Sequence, residues 1–106
     1  MPIQRVTMFK VPNEANHQPL LDAYKTLEQS QQKDNKPYIL EIKVSPSLSG
    51  ERGKGYNFVA MTRFRNLEDM KYYDEECEAH KVLKRVANPL VEQPWQPPLT
   101  VFFEEK

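Results

Sequence analysis

The residue best suited to chemistry in this chain is His80, an imidazole within an apolar helical stripe. Cys77 lies three residues before it and Leu83 three residues after it, so the three side chains share one helix face. Such a histidine either packs in the core with a backbone or hydroxyl partner or acts as a general base with a pKa near neutrality. Tyr73 lies seven residues earlier, about 10 Å along a continuous helix. That spacing does not ensure contact between the phenol and the imidazole, although a substrate could bridge them.

Arg5, Tyr24 and Tyr56 could also contact a ligand. Arg5 shares a strand face with Thr7, and this face is expected to look toward the helices. The Arg5 guanidinium either pairs with a carboxylate such as Glu104 or holds the carboxylate of a ligand. Tyr24 and Tyr56 are expected to be core or rim aromatics, whose hydroxyls need a hydrogen-bond partner if they are buried.

The sequence supports neither a metal site nor a nucleophilic cysteine. The acidic run at residues 74–78 is typical of a solvated helix face, and the two histidines, His17 and His80, lie far apart. Cys77 is interpreted as a small core residue, since the glutamates beside it oppose the low pKa of a nucleophilic thiol. Hydrolase, phosphate-loop and dinucleotide-binding motifs are absent. No metal site and no cofactor are predicted.

Charge and hydropathy argue against two classes of partner. Fifteen basic residues balance fifteen acidic ones, and the basic residues form no run with interleaved aromatics, so neither nucleic acid nor an anionic membrane is expected as a partner. No apolar stretch approaches the roughly 20 residues of a membrane span, and residues 1–5 do not resemble a signal peptide. The single cysteine excludes an internal disulfide. These features predict a soluble, cytoplasmic protein.

The apolar periodicity predicts six elements in the order strand, helix, strand, strand, helix, strand. The strands are expected at residues 3–11, 38–45, 55–65 and 99–103, and the helices from Pro19 to about Gln32 and from Asn66 to near Asn88. The chain is expected to be one domain over residues 1–106. This order predicts an α+β, ferredoxin-like βαββαβ fold. Strands one and three form the middle of a four-stranded antiparallel sheet, and both helices cover one face.

Two local details follow from the same patterns. Alternate residues from Tyr38 to Val44, Leu40 among them, are expected to share one apolar face of an edge strand, opposite a wet face that carries Glu41. Asn66 is expected to cap the second helix, with the Asp69 carboxylate placed to reach back to the cap.

The central strands are apolar on both faces, which predicts a partner subunit. Val6, Met8, Val59 and Met61 point away from the helices, and burying each such side chain contributes about 1.5–3 kcal/mol. A second copy packed sheet to sheet would cover them and close a barrel with two-fold symmetry. We therefore expect a homodimer, a dimeric α+β barrel.

Several short segments of the chain resemble the stress-responsive A/B barrel (Dabb) family of dimeric α+β barrel proteins. They are Val6-Thr7-Met8-Phe9-Lys10, Lys54-Gly55-Tyr56, Phe64 with Leu67-Glu68-Asp69, and Tyr72-Tyr73 followed by His80. The resemblance extends from Arg5 to Phe103 and implies the dimer described above. It also implies mixed functions, because many members are linked only to stress response. At least one type is a polyketide cyclase that closes an aromatic ring by aldol chemistry without metal or organic cofactor.

In the cyclase type the working groups are a helix histidine, a tyrosine shortly before it, and supporting histidines on the first and third strands. The helix histidine matches His80, and the tyrosine matches either Tyr72 or Tyr73. The two strand histidines are absent, since Arg5 and Phe58 occupy those positions. The cavity between sheet and helices is therefore implied more strongly than the chemistry.

The resemblance also implies that Tyr24, on the first helix, lines this cavity. The ligand-binding residues are expected to be Arg5, Thr7, Tyr24, Phe58 and Leu83.

Two functions follow. The favoured one is a homodimeric stress-response protein that binds a small apolar or aromatic metabolite in the cavity. The alternative is a cofactor-independent polyketide cyclase or lyase that uses His80 as general base with Tyr72 or Tyr73. A purely structural role is the third possibility.

Overall fold

The computed structural model describes all 106 residues, Met1 to Lys106. The strands are β1 (Ile3–Phe9), β2 (Ile39–Pro46), β3 (Phe58–Phe64) and β4 (Leu99–Glu104), and the helices are α1 (His17–Ser30), α2 (Leu67–Glu75) and α3 (Glu78–Ala87). Short 3₁₀ turns lie at Glu14–Asn16, Gly50–Gly53 and Asn88–Leu90. The predicted order of elements is confirmed, except that the second helix is divided into two.

The four strands form one antiparallel sheet in the order β2-β3-β1-β4. Strands one and three are therefore central, as predicted. Residues Ile3, Thr7, Phe9, Phe58, Ala60 and Phe64 of these two strands are buried on the helix side. The predicted ferredoxin-like α+β fold is confirmed.

Both central strands are shorter than predicted. Val11 lies beyond β1, where the Asn57 side chain accepts a hydrogen bond from its N–H and donates one to its carbonyl, each at 2.8 Å. At the start of β3, Lys54 and Gly55 adopt positive φ angles of 54° and 92°, which belong to a turn rather than a strand. The strand therefore begins at Phe58 instead of residue 55.

The predicted orientation of Leu40 is wrong. The pairing of β2 with β3 steps from Ile39 opposite Phe64 to Glu41 opposite Arg63, so one residue of β2 bulges out of register. A bulge reverses the alternation of faces on one side of it. Leu40 is consequently 49% exposed, while Ile39 packs in the core.

Asn66 caps α2 as predicted, since its side-chain oxygen accepts a hydrogen bond from the Asp69 N–H at 2.8 Å. The Asp69 carboxylate does not reach back to the cap, which corrects the second half of that prediction. It accepts hydrogen bonds from Lys33 Nζ at 2.7 Å and from Arg65 Nη2 at 3.2 Å. The Asp69 side chain is only 2% exposed. The two cations offset the cost of burying its charge.

The sheet face opposite the helices is apolar in its central part, with Gln4 and Arg63 toward one end. Val6, Met8, Val59 and Met61 are partly exposed there. On β4, Leu99 lies opposite Met8, Val101 opposite Val6 and Phe103 opposite Gln4, so these three exposed side chains extend the same face. None of the helices combines the length and apolar character needed to traverse a lipid bilayer.

Candidate functional site

A break in the second helical region creates the central contact of the candidate site. The N–H groups of Glu76 and Cys77 both donate to the Tyr72 carbonyl, at 2.8 and 3.0 Å, so α2 ends there and α3 starts in a new direction. Because the helix is interrupted, the rings of Tyr73 and His80 stack with centroids 3.7 Å apart and planes inclined by 11°. The two side chains are therefore in direct contact, and the separation of about 10 Å expected along a continuous helix is wrong.

The hydrogen bonding of His80 fixes its tautomer. Its Nδ1 lies 2.8 Å from the Tyr73 carbonyl oxygen, and a carbonyl only accepts, so Nδ1 carries the hydrogen and donates it. Nε2 is then left with its lone pair. His80 is 5% exposed, and burial lowers its pKa from 6.5 to about 3, with the positive charges of Lys84 and Arg5 acting in the same direction. The imidazole is therefore neutral at physiological pH.

Beside this imidazole lies a cavity of about 100 Å³, enclosed by β1, α1, α3 and the connector that precedes β4. Its lining residues are Arg5, Thr7, Phe9, Tyr24, His80, Leu83, Lys84, Ala87, Asn88, Val91, Trp95 and Pro98. Four residues expected to bind a ligand, Arg5, Thr7, Tyr24 and Leu83, thus line one space together with His80. Burial raises the pKa of the Tyr24 phenol, so its hydroxyl keeps its proton.

Phe58 and Tyr72 lie away from this cavity. Phe58 is fully buried and packs edge-on against Phe9, with ring centroids 6.2 Å apart, so it supports the wall from behind. Tyr72 packs perpendicular to Tyr38, at 5.2 Å between centroids. Of the two candidate tyrosines, it is therefore Tyr73 that contacts His80. The Tyr73 hydroxyl is itself buried without a partner, so Tyr73 positions the imidazole through its ring and its carbonyl.

Arg5 forms an ion pair with Asp74, not with Glu104. Its Nη2 lies 2.9 Å from Asp74 Oδ1, and its Nη1 donates to Thr7 Oγ1 at 2.8 Å. Asp74 belongs to α2, which packs against β3 beside β1, whereas Glu104 lies opposite Ile3 in the sheet. The Arg5 side chain is 12% exposed. These contacts use two of its five N–H groups, and the buried Nε has no hydrogen-bond partner.

Several wall residues were not anticipated from the sequence, chiefly Trp95, Lys84 and Asn88. Trp95 is 47% exposed and lies in the proline-rich connector, where it forms one edge of the cavity. A lone tryptophan inside such a connector is the one signal that could have indicated it. Tyr56 lies elsewhere, with Lys10 Nζ 4.9 Å from its ring centroid.

The structure brings no group of three or more His, Cys, Asp or Glu side chains into a metal-binding arrangement. Cys77 is a free, buried thiol at the start of α3. His17 packs against Phe58, with ring centroids 5.8 Å apart, and does not line the cavity. The acid–base chemistry available at the cavity is thus carried by His80.

Comparison with known proteins places this fold and sequence in one family. Residues 3–96 match the stress responsive A/B barrel domain. The chain belongs to this family. It is also 40% identical, over 102 residues, to the fusaristatin A biosynthesis cluster protein of Gibberella zeae; the match spans 96% of this chain and 72% of that protein.

Solved structures with the same fold are more distant in sequence. A dimeric ferredoxin-like protein of unknown function from Jannaschia sp. CCS1 superimposes with a TM-score of 0.79 at 14% identity, covering 99% of this chain and all of that one. A Dabb family protein from Mesorhizobium loti gives 0.72 at 16% identity, covering 99% and 97% of the two chains. At these identities the similarity shows the Dabb fold alone.

Proposed function

We propose that this Dabb protein is a homodimer that binds a small apolar or aromatic metabolite in the cavity beside His80. The cavity itself carries the proposal. Its walls are apolar at Leu83, Ala87 and Trp95, and a few polar groups, including Thr7 and His80, converge on it. Small-molecule sites combine an apolar lining with a few placed polar groups in this way.

The size of the cavity restricts the ligand. A volume of about 100 Å³ is somewhat below the roughly 150 Å³ of an engineered cavity that binds benzene. It is far below the roughly 300–1,000 Å³ of pockets for drug-sized molecules. A ligand of one ring, or a short apolar chain, matches this space. A larger metabolite requires the exposed Trp95 and its connector to move aside.

A relative supports a role in metabolism. The Gibberella zeae protein, 40% identical to this chain, belongs to a biosynthesis cluster for fusaristatin A. This relative favours a metabolite as the ligand of the cavity.

Thermal denaturation with a panel of single-ring compounds (toluene, anisole, phenol and benzoate) tests ligand binding. Ala87→Met extends a side chain from the cavity wall, while Val86→Met, one residue earlier on α3, lies outside the cavity. A ligand at 100 times its Kd stabilises the folded state by about 2.7 kcal/mol. We expect at least one compound to raise the Tm of the wild type and of Val86→Met but not of Ala87→Met. Equal shifts in all three proteins, or none, would contradict the proposal.

The homodimer is proposed from the apolar sheet face. Val59 and Met61 on β3 and Val101 and Phe103 on β4 are all at least partly exposed on it. Completing the burial of each half-exposed side chain contributes about 1 kcal/mol, which a sheet-to-sheet partner would supply. Dimers among proteins of this fold, such as the Jannaschia protein, favour a second copy as that partner.

Sedimentation of a sheet-face variant tests the homodimer. Met61→Lys places a charge in the proposed interface, while Leu48→Lys changes an apolar side chain that is fully exposed in the loop after β2. We expect the wild type and Leu48→Lys to sediment as dimers at micromolar concentration and Met61→Lys as a monomer. A wild-type monomer of 12.5 kDa would overturn the homodimer.

The second candidate function is cofactor-independent cyclisation or lysis with His80 as general base. The observation that favours it is the tautomer, because Nε2 is unprotonated and Nδ1 is held by the Tyr73 carbonyl. Against it stands the pKa of His80, which burial lowers to about 3, far below the value near neutrality expected of a general base. Such a base would take a proton from an acidic carbon between two carbonyls of a poly-β-keto substrate. With a poly-β-keto thioester, His80→Ala is expected to abolish turnover. Unchanged turnover in the folded variant removes His80 from the mechanism.

Residues 1–106 are further proposed to form one Dabb domain located in the cytoplasm. One cluster of sixteen buried apolar residues, from Ile3 to Ala87, supports a single core. The lone, unpaired Cys77 is consistent with a reducing compartment. Limited proteolysis that releases a stable fragment from the middle of the chain would contradict the single domain.

A further inference from the structure

We propose that the ligand of this cavity is a small monocarboxylate, whose carboxylate pairs with Arg5 and Lys84 and whose apolar part packs against the apolar wall. The inference rests on the proposed function, because it presupposes that the cavity binds a ligand. It adds the charge of that ligand and the two residues that hold it. Neutral compounds of the same shape are expected to bind more weakly.

The first step of the argument is the charge of the cavity wall. Arg5 and Lys84 are lining residues, whereas none of the twelve residues that line the cavity is an aspartate or a glutamate. The whole chain has equal numbers of basic and acidic residues, so this imbalance is a local feature of the cavity. Burial, and then the positive charges of Lys84 and Arg5, lower the pKa of His80. A positive potential therefore extends to the imidazole beside the cavity.

The second step is the hydrogen bonding of Arg5. Its Nη1 donates to Thr7 and its Nη2 to Asp74, but its Nε is buried and has no partner. A buried N–H group without an acceptor is unfavourable, and a ligand that brings an acceptor removes this cost. A carboxylate oxygen binds a guanidinium more strongly than a neutral oxygen does, because both groups are charged. The unpaired Nε thus favours an anion at this wall.

The third step is the number of charges that a ligand must supply. Asp74 pairs with Arg5 at 2.9 Å and offsets one positive charge, whereas Lys84 forms no ion pair with any carboxylate of the chain. His80 is neutral at physiological pH, and Tyr24 keeps its proton because burial raises its pKa. One positive charge beside the cavity is therefore uncompensated, and a ligand with a single carboxylate balances it.

The fourth step is the space available to the rest of the ligand. Leu83, Ala87 and Trp95 form apolar wall, and the cavity has a volume of about 100 Å³. A single ring or a short alkyl chain with one carboxylate matches this size, and a ligand that fills the space lies close to both cations. The Nε2 lone pair of His80 repels a carboxylate oxygen. The carboxylate is therefore expected away from Nε2, with the apolar part beside the imidazole.

Calorimetric titration of the full chain with benzoate, benzamide and toluene at pH 7 tests the inference. Benzamide has nearly the shape of benzoate but carries no charge, and toluene lacks the polar group altogether. We expect benzoate to bind about tenfold more tightly than benzamide, because hydrogen bonds between charged groups are stronger than those between neutral groups. Toluene is expected to bind no more tightly than benzamide.

Three variants locate the carboxylate. Lys84→Gln removes the uncompensated charge and should lower the affinity for benzoate about threefold, the range of an exposed ion pair, without changing the affinity for toluene. Lys81→Gln changes a second exposed lysine of α3, which lies outside the cavity, and should bind benzoate as the wild type does. Arg5→Gln should abolish the preference for benzoate over benzamide. If Arg5→Gln does not fold, the two lysine variants still decide, because both change exposed side chains.

The possible failures are distinguishable. Benzamide that binds the wild type as tightly as benzoate overturns the inference and leaves the proposed function standing, because the cavity would still hold a ligand. A preference for benzoate that is identical in the wild type, Lys84→Gln and Lys81→Gln also overturns it, since the anion would then be held elsewhere. No binding of any of the three compounds overturns the inference and the proposed function together.

Discussion

Lowering the pH from 7 to 5 should destabilise this protein through His80. In the folded state the pKa of His80 is lowered from 6.5 to about 3, because burial disfavours the charged imidazole. In the unfolded chain the same side chain titrates near its ordinary value. Between these two pKa values the unfolded state binds the proton and the folded state does not. The free energy of unfolding therefore falls as the pH is lowered from about 6.5 toward 3.

The magnitude follows from the two pKa values. The contribution of His80 to the free energy of unfolding is nearly full above pH 6.5. Below that pH it declines by up to about 1.4 kcal/mol per pH unit. With a folded pKa of about 3, the loss between pH 7 and pH 5 amounts to about 2 kcal/mol. Below the folded-state pKa both states bind the proton, so His80 no longer makes the free energy of unfolding depend on pH. His80 is almost fully buried, so solvent screening reduces this figure little.

Urea denaturation at pH 7 and pH 5, at one fixed protein concentration, measures the effect. Carboxylates also titrate near pH 5, so the informative quantity is the difference between the wild type and His80→Gln. The variant lacks the imidazole and should lose about 2 kcal/mol less than the wild type over this interval. His17→Gln serves as the control and should behave as the wild type does.

The reasoning fails if the wild type and His80→Gln respond identically to pH. That result would mean that the His80 imidazole is protonated in the folded state as readily as in the unfolded one. The imidazole would then be a mixture of neutral and protonated forms near pH 6.5, and Nε2 would be a donor in the protonated form.

Three further predictions concern the elements that hold the site, each measured as the free energy of urea unfolding. Asp69→Ala should lose about 2 kcal/mol, because Lys33 keeps a charge without its buried partner; a loss under 0.5 kcal/mol would refute a structural role for the pair. Asn66→Ala should lose about 1 kcal/mol by uncapping α2, whereas Asn66→Asp should be nearly neutral. Asn57→Ala should lose about 2–3 kcal/mol, since it leaves both backbone groups of the buried Val11 unpaired; stability equal to wild type would show that water replaces the side chain.

Much of the fold could be predicted because alternation and helical spacing are local properties of the sequence. Phe58 and Ala60 face the helices and Val59 and Met61 do not, as the period of two in β3 requires. The same argument failed at Leu40, where a bulge shifted the register. A bulge depends on the partner strand, and the residues of β2 alone do not reveal it.

The site was harder to predict because its key contacts depend on where segments meet in space. No glycine or proline marks the break at Glu76 and Cys77, yet that break stacks Tyr73 on His80. The choice of Asp74 over Glu104 as partner of Arg5 depends on where α2 lies relative to the sheet. Sequence periodicity placed the imidazole on the correct face, and tertiary packing alone set its neighbours and its protonation.

The crystal structure of the complex with the single-ring compound that raises the Tm most is the most direct test of the ligand site. The ring is expected inside the cavity, between Leu83 and Trp95 and beside His80. That compound bound only outside the cavity, or an empty cavity at saturating concentration, would contradict the central claim.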